Sequence, residues 1–249
     1  MNDKNCVQVL LSGAGGLIGS HFSTRLLEEN VINPIFMVSG GTDYSDVLPS
    51  SKTIIKDLSA EDGVDGLIDD VVDKYGEIDV LINNAAINTE NGISSFAQDT
   101  SDKRIKDTFQ VNAVAPLSMI RQLLVRPNPP RLIVNVLTRT AIGGGKRHVA
   151  YYSSKAALLN ASRSLSMEYP KTRFVCLMVS QITRKDYNGI SVELVGDALL
   201  DQILRGGRHR RFEKIFFLKP VVYWKYLLNY CYQLFMNSSN WLSNLHHRL

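Results

Sequence analysis

The sequence predicts an α/β protein built on a doubly wound parallel sheet. Three observations carry that expectation. Short apolar runs alternate with segments of helical spacing along the first 218 of the 249 residues. The runs are apolar throughout rather than on every second residue, which a sheet covered on both faces requires. A glycine cluster, Ser12-Gly13-Ala14-Gly15-Gly16-Leu17-Ile18-Gly19, joins the first run to the first helical segment.

Taken in order, residues 7–11 read as the first strand and 17–29 as a helix with Leu17, Ile18, Phe22, Leu26 and Leu27 on one face. Residues 34–38 and 53–56 read as the second and third strands, and 60–75 as an acidic amphipathic helix. Strand four is 80–83, followed by a mostly helical stretch over 99–125. Strand five is 132–137, and 149–169 is a helix. Residues 174–179 form strand six, 192–204 a helix, and 214–218 a last strand-like run. No repeat or linker interrupts residues 1–218, so they are expected to form one domain, with 219–249 as a basic, aromatic helical tail.

Composition narrows the function classes. A hydrophobic share of 45% with 21% charged residues excludes a disordered or fibrous chain. The net charge of +4 is unevenly placed: residues 205–249 carry 8 Lys+Arg against 1 Asp+Glu, and the remainder is slightly acidic. A fold that is basic all over, as nucleic-acid binding favours, is therefore disfavoured, and no nucleic-acid partner is expected. The run Arg205 to Arg211 lacks the aromatic stacking platform that RNA binding would use. Cys6, Cys176 and Cys231 are too few and too scattered for a disulfide framework or a zinc site, so no metal is expected and a reducing, cytoplasmic setting is. The N-terminus lacks a signal peptide's basic region and cleavage site, and no apolar run is long enough to span a bilayer.

The glycine cluster points to a nucleotide. Glycines permit a tight turn and close approach to a pyrophosphate, and the helix that follows directs free N–H groups at the anion. Tyr151 and Lys155 stand four apart in a helical segment and share a face. An ammonium beside a phenol favours phenolate, so the pair is a candidate general acid/base. Thr138 ends the fifth strand, at the carboxyl edge of the sheet where such folds bind ligands. Asn83-Asn84-Ala85-Ala86 ends the fourth strand, and Asn112 lies in the long helical stretch after it.

Together these elements resemble the short-chain dehydrogenase/reductase family over roughly residues 6–218. Glycine loop, Asp57 after the third strand, Asn83-Asn84-Ala85, Asn112, a hydroxyl thirteen residues before Tyr151, and Tyr-x-x-x-Lys occur in the family's order. The resemblance implies a Rossmann-type fold, an NAD(P) cofactor and a homo-oligomer. It implies that Tyr151 protonates a carbonyl oxygen in reduction and removes the proton in oxidation. Lys155 would lower the Tyr151 pKa and hold the nicotinamide ribose, Thr138 would bind the substrate oxygen, and Asn112 would hold a relay water. Ser12, Gly13, Gly15, Gly16, Leu17, Ile18 and Gly19 would cradle the diphosphate. Ser39, Asp57 and Leu58 would meet the adenosine, Asn84 and Ala85 its ribose side, and Ile182 the carboxamide.

The chain departs from the family's pattern in places. Thr138 replaces the usual Ser, Leu17 a Gly, Ala86 a Gly, and Ser180-Gln181 the usual Pro-Gly turn. The stretch 183–191 is short for a substrate lid. These departures motivate a rival expectation, a catalytically impaired nucleotide-binding or interaction protein of the same fold. Ser39 stands where an acid would select NAD, which tilts the expectation towards NADP, with Asp43 keeping NAD open. In the tail, Lys225, Asn229, Gln233 and Asn237 make a narrow polar stripe beside a broad apolar face. That pattern suits an interfacial membrane helix, a subunit contact or packing on its own domain. The substrate expected is a small or lipid-linked carbonyl compound, such as a keto-sugar of polysaccharide or envelope synthesis, handled at the inner membrane face.

Overall fold

A computed structural model describes residues 6–40, 43–90, 92, 94–179, 192–204 and 211–216. Seven strands form one sheet in the order β3-β2-β1-β4-β5-β6-β7, with every neighbouring pair parallel. They are β1 (Val7–Ser12), β2 (Ile32–Val38), β3 (Thr53–Ile55), β4 (Val80–Asn83), β5 (Leu132–Thr138), β6 (Arg173–Val179) and β7 (Phe212–Phe216). Eight α-helices accompany them among the described residues: α1 (Leu17–Glu28), α2 (Leu67–Tyr75), α3 (Phe96–Asp99), α4 (Asp102–Phe109), α5 (Ala115–Leu124), α6 (Thr140–Gly143), α7 (Val149–Glu168) and α8 (Val192–Leu204). The doubly wound parallel sheet expected from the sequence is the fold observed.

The unbroken apolar runs are explained by two cores. Along β6, Val175, Leu177 and Val179 enter one core while Phe174, Cys176 and Met178 enter the other. The first core is closed by α1 and α8 through Phe22, Leu26, Val195 and Leu199. The second is closed by α2, α5 and α7 through Ile68, Val71, Ile120, Leu123 and Leu158. Each fully buried Leu, Ile or Phe contributes about 1.5–3 kcal/mol. A polar chain threads the sheet as well. Asn83 Nδ2 donates to Asn135 Oδ1 (2.7 Å), Asn135 Nδ2 to Ser162 Oγ (2.8 Å), and that hydroxyl to Leu158 O. All three polar side chains are buried, so the chain fixes β4 and β5 against α7 in one register.

Three of the differences from the sequence expectation have a plain physical cause. The acidic helix starts at Leu67 rather than residue 60, because Gly66 adopts φ +64 and residues before it form turns. A left-handed residue cannot sit inside a right-handed helix. The stretch 99–125 is not one helix. Ser101 caps α4 by accepting the Arg104 amide (3.3 Å), a widened π turn spans Gln110–Val114, and Pro116 stands in the first turn of α5. Proline has no N–H for the carbonyl four residues back, so the ladder loosens just where Asn112 lies. The last strand is Phe212–Phe216, two residues earlier than expected, set by its pairing of Phe174 with Phe212. The Pro-Gly replacement at Ser180-Gln181, Ile182, the short lid, Cys231 and the tail lie outside the described residues. No helix among the described residues is long and apolar enough to cross a membrane.

Candidate active site

The chain order reverses between β1 and β4, and the crevice outside their carboxyl ends is the natural ligand position in such a sheet. A cleft of about 1070 Å³ occupies it. Gly13, Gly15, Gly16, Leu17, Ile18, Ser39, Asp57, Leu58, Asn84, Ala85, Thr138, Tyr151 and Lys155 all line it. The expected site residues therefore converge, with four outside that lining: Ser12, Gly19, Asn112 and Ile182. Ile182 is beyond the described residues; the other three hold the wall from behind.

Gly13 has φ +67, and a Cβ there would lie 2.6 Å from Ala85 Cα. No other residue suits both the turn and the contact. Gly19 is tied to the same loop, since a Cβ there would overlap Gly13 O. Ser12 is buried, with Oγ donating to Ile82 O (3.3 Å) and accepting from the Asn84 and Ala85 amides (both 3.2 Å). Asn84 Nδ2 donates to Gly13 O (2.9 Å) and Ser12 O (3.3 Å). Ser12 and the Asn84 side chain thus brace the glycine loop against β4. The N-terminus of α1 has no side-chain cap and no acidic residue in its first turn. No capping side chain or acid competes for its leading N–H groups and positive dipole end, so the loop fits a dinucleotide diphosphate.

At the end of the cleft expected to meet the adenosine, Asp57 Oδ1 accepts from the Ser59 hydroxyl (2.7 Å) and amide (2.9 Å), which hold its carboxyl below the usual range. Asp43 accepts from the Ser45 amide (2.9 Å) and is absent from the cleft wall. Tyr44, its neighbour, lies against Gly15 so closely that a Cβ on that glycine would meet the phenol ring. Lys56 also lines the cleft, and its amide donates to Val38 O (2.9 Å), which places it beside Ser39. Tyr44 and Lys56 were not among the sequence-derived candidates. Lys56 becomes visible only once β2 and β3 are paired.

At the other end, Thr138 Oγ1 is 2.9 Å from Thr140 Oγ1. Tyr151 and Lys155 project from α7, with Lys155 Nζ 6.0 Å from the Tyr151 ring centre. Nζ donates to Val136 O at 2.9 Å. Lys155 is 2% exposed, and burial brings its pKa down to about 8. Burial pushes the Tyr151 phenol up, with a smaller push from Tyr152. Burial thus works against the phenolate that a neighbouring ammonium favours. Asn112 is fully buried and spends its amide on Ile87 N (2.9 Å), Ile87 O (2.8 Å) and Ser154 Oγ (3.1 Å). Its side chain pins the loop after β4 to α7.

Two further facts bear on the chemistry. Among the described residues, no three His, Cys, Asp or Glu side chains cluster as metal ligands. Cys176 is buried in the sheet and its thiol is pushed up to about 12, which leaves it unreactive at neutral pH.

Comparison with known proteins bears on family and fold. The short chain dehydrogenase family profile matches residues 8–183. The chain is 30% identical over 178 residues to the short chain dehydrogenase/reductase dpchG of Colletotrichum higginsianum, covering 67% of this chain and 63% of that protein. It is 31% identical over 115 residues to a glucose and ribitol dehydrogenase of Daucus carota (46% and 38% covered). It is 24% identical over 168 residues to a galactitol 2-dehydrogenase of Agrobacterium fabrum (65% and 64%). The matches thus span from 38% to 64% of the length of these relatives. In fold, a short-chain dehydrogenase from Streptomyces avermitilis superposes with a TM-score of 0.77 at 16% identity, covering 96% of this chain and 97% of that one. A 4-hydroxyisoleucine dehydrogenase complexed with NADH gives 0.74 at 19% identity (84% and 96%). A metagenomic short-chain oxidoreductase in complex with NADP gives 0.68 at 17% (86% and 98%). The family profile spans most of the chain, and the chain belongs to the short chain dehydrogenase family.

Proposed function

We propose that this chain is an NAD(P)-dependent oxidoreductase that interconverts a carbonyl and a secondary alcohol. One observation carries the reading: Thr138, Tyr151 and Lys155 open into the same cleft as the glycine loop and the uncapped end of α1. The nicotinamide cofactor, when bound, supplies or accepts the hydride. The protein's residues orient the reactants and handle the proton. Tyr151, held protonated by burial, gives its phenolic proton to the carbonyl oxygen. Thr138 donates a hydrogen bond to that oxygen, and Thr140 holds the Thr138 hydroxyl in place. Lys155 sets a positive charge behind the phenol. The protonated phenol is the form that reduction uses, and its phenolate the form that oxidation uses. The test is NADPH oxidation across a panel of ketoses, ketones and aldehydes. Dinucleotide binding with no turnover on any of them would favour a catalytically impaired member instead.

The cofactor we assign is NADP. Asp43 is spent on its own turn, Ser39 carries no charge to repel a 2′-phosphate, and Lys56 adds a cation beside it. A charged hydrogen bond to phosphate is worth about 1.5–3 kcal/mol, so Lys56→Glu is expected to weaken NADPH binding about tenfold or more and spare NADH. Fluorescence titration of both dinucleotides measures it. Equal binding of NADPH by wild type and variant would sink the assignment.

For the substrate, the names of the carrot and Agrobacterium relatives favour a polyhydroxylated compound. The basic, aromatic tail supports action on a lipid-linked form at a membrane surface. Removal of residues 220–249 should release the protein from anionic vesicles in a flotation assay. A full-length protein that never floats and runs as a stable dimer would make the tail a subunit contact instead.

A further inference from the structure

Glu90 is a fully buried carboxyl group in the loop after β4, and nothing in the proposed chemistry uses it. Its Oε2 accepts the backbone N–H of Tyr151 at 3.0 Å, across 61 residues of sequence. Its Oε1 is buried without a hydrogen-bond partner among the described residues. Burying a carboxyl for one bond is costly, so the position does something a neutral, apolar residue would not.

The start of α7 shows what that is. His148 precedes the helix with no side-chain cap, and the first turn contains no acid. The Tyr151 amide would be one of the orphan donors of a helix N-terminus. Glu90 supplies the missing acceptor. The same loop makes two more ties to α7. Asn88 accepts the Glu90 amide (3.2 Å) and approaches His148 Nδ1 (3.2 Å) through its own Nδ2. Asn112 joins Ile87 to Ser154. This loop begins at Asn84 and Ala85, which brace and line the dinucleotide end of the cleft.

We propose that Glu90 is a positioning residue: its carboxyl clips the first turn of α7 to the loop that carries Asn84 and Ala85, and so sets the Tyr151 phenol relative to the dinucleotide. The proposal rests on the acid role given to Tyr151. Glu90 touches no reacting atom and acts through the Tyr151 backbone. Glutamine can still accept that N–H, whereas leucine of similar bulk cannot.

The experiment compares wild type, Glu90→Gln, Glu90→Leu and Tyr151→Phe as full-length chains. Three readouts are taken: amide hydrogen exchange over residues 149–153 with and without NADPH, the NADPH dissociation constant, and NADPH-dependent turnover of diacetyl and ethyl acetoacetate. In Glu90→Leu, exchange at the first turn of α7 is expected to rise about tenfold or more and kcat to fall by a similar factor. Its NADPH affinity stays near wild type, and Glu90→Gln restores both exchange and kcat. Unchanged exchange in Glu90→Leu, or failure of Gln to rescue, overturns the proposal. If Tyr151→Phe keeps its turnover, the acid role fails, while the exchange comparison still judges the clip.

Discussion

Tyr151→Phe is expected to cut carbonyl turnover by about 10²–10⁴-fold, the usual contribution of a positioned general acid. The NADPH dissociation constant is expected to stay near the wild-type value. The substitution removes one hydroxyl and keeps the ring, which packs edge-on against Tyr152 at 5.8 Å and 63°. The fold has no reason to change, so the loss reports proton transfer alone. A variant that loses dinucleotide binding but still turns over would show that the phenol holds cofactor and does no proton chemistry. The pH dependence follows from the same two groups. Reduction needs the phenol protonated and the Lys155 ammonium charged. The phenol lies above its ordinary value, so Lys155 sets the upper limit. Turnover in the reductive direction should be level near pH 7 and fall as pH rises through about 8.

The second large effect runs in opposite directions for activity and stability. Lys155→Met is expected to abolish turnover and to stabilise the fold at pH 7. The ammonium is held at about 8 against an ordinary 10.5, purely by desolvation. Burying the charged form therefore costs on the order of 3 kcal/mol, at 1.36 kcal/mol per pH unit. Between pH 8 and 10.5 the unfolded chain binds more protons than the folded one, so wild-type stability rises with pH in that window. The stabilising contribution of neutral Lys155 is complete above 10.5 and is lost as pH falls through about 8. The advantage of Met over Lys should accordingly be greatest at and below pH 7 and shrink towards pH 10.5. Thermal melts of both proteins at pH 7 and pH 10 measure it. A Met variant less stable than wild type at pH 7 would mean that the bond to Val136 O outweighs the buried charge.

The elements most legible in the sequence were those whose signal is local. The seven apolar runs mark the strands because burial on both faces leaves no room for alternation. Gly13 and the Tyr151–Lys155 spacing mark the cleft because a tight turn and a shared helical face are short-range requirements. What escaped depends on tertiary pairing. Gly66 breaks the acidic helix only because its backbone is left-handed, whereas the acid-rich pattern around it reads as continuous helix. The π turn at Gln110–Val114 follows from Pro116, a residue that the apolar periodicity passes over. Lys56 comes beside Ser39 through the β2–β3 pairing. Glu90 carries no local signal, and only its contact with α7 shows its burial.

The same strand order that opens the cleft also dictates how the chain must be assembled. β1 lies between β2 and β4, with Val9 aligned to Val80. As synthesis proceeds, β1, β2 and β3 can pair early, but the inner edge of β1 stays bare until residues 80–83 have emerged. That edge is a row of unpaired backbone groups flanked by apolar side chains, the surface most open to wrong pairing. Closing it joins segments some seventy residues apart, a contact of high order and hence slow to form. The ligand crevice therefore lies at the strand pair most distant in sequence, and a nucleotide that grips the glycine loop and Asn84 would also seal that seam.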